Sequence, residues 1–62
     1  MPTHKFQIGQ ILILTASLNV PGGAYLVTKR LPAHAGEFEY RVKSANEPHE
    51  RVVRESELSD VP

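Results

Sequence analysis

From residue 37 to 44 the chain alternates without a fault. Phe38, Tyr40 and Val42 take one side; Glu37, Glu39, Arg41 and Lys43 take the other. A period of two marks a β-strand with one buried face and one wet face. Ala45-Asn46-Glu47-Pro48-His49 then carries turn chemistry, and the chain returns through Glu50–Arg54. The pattern predicts a β-hairpin with a short loop. Two registers are open. Val42 opposite Val52 sets Tyr40 against Arg54, whereas a shift of one residue pairs Tyr40 with Val53, Lys43 with Glu50 and Glu39 with Arg54. A competing helix over 45–58 has a capping box in Ser44 and Glu47, and Pro48 fits its first turn. Its apolar residues Val52, Val53 and Leu58 form no stripe at helical spacing, so the strand is preferred. Glu55-Ser56-Glu57-Leu58 predicts one helical turn that drops Leu58 onto the core, after which Ser59–Pro62 frays.

Upstream, Met1–Lys5 reads as a loose tail, followed by a bend at Gly9 and a strand at Ile11–Leu14. Both faces of that strand are apolar. We expect Ile11 and Ile13 in the core, with Leu12 and Leu14 opposite, as befits either a bent strand covered by a loop or an exposed strip used for association. Pro21-Gly22-Gly23 is a turn signal; a strand rather than a helix follows it, which argues against a phosphate cradle. Ala24–Leu31 predicts the next strand, with Tyr25 and Val27 inward and Leu26 outward, ended by Pro32. Ala33–Gly36 makes the loop to the hairpin. The expected core is Ile11, Ile13, Tyr25, Val27, Phe38, Tyr40, Val42 and one of Val52 or Val53. Several short strands separated by turn signals predict an all-β domain, a small barrel or strongly bent sheet of four to five antiparallel strands spanning residues 1–62.

Composition narrows the chemistry. A chain of 62 residues buries only ~60% of the surface its unfolded form exposes, and without cysteine it has no disulfide to compensate. The expected setting is therefore a reducing cytoplasm, and no apolar segment approaches the ~20 residues of a membrane span. Seven basic residues balance seven acidic ones, which gives no general attraction to nucleic acid or anionic lipid. His4, His34 and His49 are far apart in sequence, without metal-ligand spacing, and no Ser–His–carboxylate grouping is legible. We expect no metal, no cofactor and no catalysis.

Phe6-x-x-Gly9-Gln10-x-Leu12, Gly22-Gly23-x-Tyr25-x-Val27, Leu31-Pro32, Gly36-Glu37, Tyr40-Arg41-Val42-Lys43-Ser44 and Glu50-Arg51-Val52-Val53 with Glu55 and Leu58 resemble an uncharacterised family of small alphaproteobacterial proteins of about this length. The resemblance implies an SH3-like β-barrel and brings no functional residue with it. Two functional expectations follow from the residues. The first is a non-catalytic interaction module that meets a protein partner or a second copy through Leu12, Leu14 and Leu26. The alternative is a weak nucleic-acid-binding barrel using the Arg41/Lys43 hairpin face together with Arg51 and Arg54.

Overall fold

The computed structural model describes residues 3–16 and 20–60. Five strands form one antiparallel sheet: β1 (Ile11–Leu14), β2 (Gly23–His34), β3 (Glu37–Lys43), β4 (Glu50–Arg54) and β5 (Leu58–Asp60), with a 3₁₀ turn at Glu55–Glu57 between the last two. Their order across the sheet is β4-β3-β2-β1-β5. β4 and β5 are its two edges, so pairing does not close the barrel, although the bent sheet is compatible with an SH3-like arrangement. The bend lies in β2. Its first half pairs with β1 and its second with β3, and the register to β3 shifts between Val27 and Lys29. The Thr28 hydroxyl, at that shift, donates to the Arg41 carbonyl (3.1 Å).

The core is a row of cross-strand pairs on one face. Leu58 lies opposite Leu14, Leu12 opposite Tyr25, Val27 opposite Val42 and Tyr40 opposite Val53. All eight side chains are buried, as is Phe6. Directly opposed side chains are the unit of sheet stabilisation, and here one such pair spans every strand boundary.

Several expectations are corrected. β1 faces the other way: Leu12 and Leu14 are buried, Ile13 is half-buried and Ile11 is exposed. With both faces apolar, the strand itself does not choose. Its neighbours do, because Tyr25 and Leu58 already face inward and the ladder places Leu12 and Leu14 beside them. The hairpin takes the second register, so Val53 is buried and Val52 is not. Phe38 is half-buried at the rim.

β2 runs past Pro32 to His34, since Pro32 and Ala33 fall within a second register shift, where a missing N–H costs no ladder bond. Ser59 and Asp60 do not fray but pair with β1; Val61 and Pro62 lie outside the described residues. In the N-terminal segment, Met1 and Pro2 are likewise outside them, whereas His4 and Lys5 are anchored. The His4 ring sits 4.3 Å from that of Phe38 and its Nε2 donates to the Leu31 carbonyl (2.5 Å).

The turns explain two local choices. Gly22 lies where an added Cβ would come within 2.9 Å of the Leu14 carbonyl and of Ala16, so only glycine fits there. Ala35 and Gly36 both have positive φ (55° and 80°) and form a two-residue turn of the type whose twist matches a hairpin.

Equilibrium urea unfolding of point variants checks the inner face. Leu12→Ala should cost about 2–5 kcal/mol, most of what a domain this small holds, while Ile11→Ala should stay within about 1 kcal/mol. The opposite ranking would mean that β1 faces the other way. Ala35→Asn should add ~0.5–1 kcal/mol by relieving a left-handed alanine; a loss there would remove the turn assignment.

Candidate functional site

Side chains that alternate out of the core cover the convex outer face of the sheet. At its centre Ile11 lies directly opposite Leu26, and Leu26 in turn lies opposite Lys43. Ile11 is 55% exposed and Leu26 41%, so a cross-strand pair of large aliphatic residues stands in water. Ala24, also exposed, lies opposite Ile13 on the same face. Beside Leu26 an open depression of about 240 Å³ is lined by Leu26, Lys43, Ser44 and Ala45. Its floor is firm, because the Ser44 hydroxyl accepts from the Asn46 amide (3.1 Å) and the Ser44 carbonyl from the Glu47 amide (3.3 Å). Lys43 Nζ donates to the Glu47 carbonyl (3.1 Å), which holds the ammonium at the rim without neutralising its charge.

Of the three residues expected to meet a partner, only Leu26 reaches this surface. Leu12 and Leu14 are part of the core, and the contact surface that accompanies Leu26 is made by Ile11 instead.

The four basic residues expected to track phosphate do not share one face. Arg41 and Lys43 lie on the outer face, and their register partners are Val52 and Glu50. Arg54 alternates with Val52 and lies there too. Arg51 is opposite the buried Val42 and therefore points to the other side, at the rim of the core. Three of the four also have carboxylate partners: Arg41 lies 3.5 Å from Glu50 and Arg54 3.8 Å from Glu57. Arg51 grips Glu47 with two nitrogens, at 2.5 to 3.1 Å. The carboxylates interleaved in the sequence cancel the field one residue at a time.

Of the acidic residues only Glu37 and Glu39 were expected on a wet face of the sheet, and four acids, Glu37 among them, tie the fold together. Glu47, whose side chain is 12% exposed, accepts from Arg51 and from the Tyr25 hydroxyl (3.2 Å). The Arg51 guanidinium, then the Tyr25 hydroxyl, hold its carboxyl below the usual range. Glu37 accepts the Ser56 amide (2.6 Å), and Glu57 the Arg54 amide (2.8 Å). Glu55 takes the Lys5 amide (3.0 Å) and the hydroxyl of Tyr40. That hydroxyl also accepts the Phe6 amide (3.2 Å). Burial, reinforced by the Glu55 carboxylate, pushes the Tyr40 hydroxyl up, so it stays protonated and able to donate. Among the described residues no group of three or more potential metal ligands comes together, and His34 and His49 are exposed.

The Tyr40 hydrogen bond, followed by the Lys5 amide, lowers the pKa of Glu55. A carboxyl depressed on folding contributes stability above its unfolded pKa of about 4.3 and loses it as pH falls through the folded value. Urea midpoints should therefore drop as the solution is acidified below roughly pH 4, and Glu55→Gln should flatten that drop while lowering the midpoint at pH 7. An unchanged acid limb in Glu55→Gln would show that Glu55 does not sense folding.

No protein-family model, no curated protein and no solved structure matches the chain.

Proposed function

We propose that the chain is a non-catalytic protein-interaction module. Its outer face receives a short extended segment of a partner protein that presents an aliphatic side chain beside a carboxylate. The observation that carries this reading is the Ile11–Leu26 pair, two large aliphatic side chains exposed directly across from each other in the middle of the sheet. Contiguous apolar surface rimmed by polar groups marks interaction sites in small soluble domains. The adjoining depression, at about 240 Å³, is open and smaller than the ~300 Å³ or more typical of small-molecule sites. It matches one side chain better than a substrate. Lys43 at its rim supplies the charge complement for an acidic neighbour, giving register and on-rate.

Amide chemical-shift titration with the peptide N-acetyl-Asp-Leu-Asp-amide tests the reading. Shifts should cluster at Ile11, Leu26, Lys43 and Ala45, with a dissociation constant near 1 mM, about 4 kcal/mol of binding. Leu26→Glu should abolish them. Shifts that are absent at roughly 10 mM peptide, or scattered over the inner rim, would remove the outer face as the site.

A further inference from the structure

Besides its outer face the domain has an open strand edge. Among the described residues β4 pairs only with β3 and ends the sheet. Hydrogen bonds at two independent places show which of its backbone groups point away from the protein. The Arg54 N–H donates to the Glu57 carboxylate rather than to β3. Successive residues of a strand alternate in direction, so the N–H and C=O of Val52 and Glu50 also turn outward. From the opposite side of the sheet, Val27 exchanges backbone bonds with Gly9 and Gln10, on the β1 side (2.8 and 2.9 Å). Val27 therefore has none to give Val42, and the alternation carried across β3 again leaves Val52 facing outward.

The side chains on this edge, in order, are Glu50, Val52 and Arg54, all exposed and all on the outer face, with Val52 at 55%. Read backwards, the series is Arg, Val, Glu. An antiparallel copy of the strand, related by a two-fold axis at Val52, thus sets Val52 against Val52, Glu50 against Arg54 and Arg54 against Glu50. Charged residues on an edge strand normally discourage pairing because like charges meet. In this register every charged contact is between opposites.

We propose that the chain self-associates through β4, as an isologous dimer in which two five-stranded sheets join edge to edge. Reciprocal Val52 N–H to Val52 C=O bonds lie at the centre, and Glu50 N–H to Arg54 C=O bonds flank them. The Arg54 N–H stays with Glu57. This contact uses an edge that the outer-face site does not need, so the two readings stand or fall separately.

A contact one strand long buries less than the ~1,200 Å² of stable complexes, so we expect half-dimerisation only at roughly 0.1–1 mM. Sedimentation equilibrium of the whole chain, with folding of each variant checked by amide dispersion, supplies the test. Glu50→Arg sets two guanidinium groups together at both ends of the contact, and Arg54→Glu sets two carboxylates together, so each variant alone should lose at least tenfold in association. Mixed one to one, they restore both opposite-charge pairs and should associate as wild type does. Val52→Pro, which removes an outward donor that β3 does not use, should also leave a monomer, while Leu26→Glu should have no effect.

A wild-type chain that stays monomeric at ~2 mM overturns the proposal. So does either charge variant associating undiminished, or a mixture that fails to recover. Association lost in Leu26→Glu but retained in both charge variants would place the contact on the outer face and overturn it equally.

Discussion

Tyr40 sits fully buried in the middle of a domain with little core to spare, and a buried hydroxyl is costly unless it is bonded. It is bonded on both counts, accepting from Phe6 and donating to Glu55. Glu55 in turn accepts the Lys5 amide. Through one phenol the N-terminal segment, the third strand and the 3₁₀ turn become interdependent. Phe6 closes one end of the inner row because the chain before the first strand is held there, its ring 5.8 Å from that of Tyr40. The 3₁₀ turn is held by the same knot, and Glu37 adds a second bond through Ser56. From that turn the chain enters β5, so Leu58 meets Leu14 and the Glu57 carbonyl receives the Thr15 amide (3.0 Å).

On the central strand β2, Tyr25 does the same work with different partners. Its hydroxyl reaches the Pro21 carbonyl and Glu47, and Glu47 is clamped by Arg51. The loop between β3 and β4 is thereby tied to the start of β2. Both buried tyrosines thus project a polar tip out of an apolar row onto a carboxylate, which suits a residue with an apolar body and one donor. A sheet this small cannot be sealed by a second layer. It is sealed at its rims by charge-assisted bonds, which are stronger than neutral ones.

How much of this was legible depends on whether a segment had an unambiguous face. β3 was readable because charges fill one side of it. β1 was not, since four consecutive aliphatic residues leave the choice to neighbours on other strands. The hairpin register carried a signal that simple pattern matching passed over. The observed pairing puts one charge, Arg51, on the core side of β4, whereas the rejected one would put Glu50 and Arg54 there. Phe6 was invisible because its burial requires the chain to turn back at Gly9 and bond to Val27, a contact between distant positions. The same holds for the outer-face site. Leu26 does face outward, yet its companion was expected to be Leu12, because the facing of β1 was inverted.

The inner row alone accounts for the fold, so the aliphatic residues on the outside need their own explanation. Strand propensity supplies part of one: β-branched residues suit a pleated surface even when half of it is wet, which covers Ile11 and Val52. It covers Leu26 less well, because leucine is not β-branched and gains no such preference. Leu26 is also the residue that borders the depression and lies opposite both Ile11 and Lys43 in register. If propensity were the whole cause of the exposed aliphatics, a β-branched residue would serve better at that position. The presence of leucine there is therefore left for the proposed packing against a partner side chain to explain.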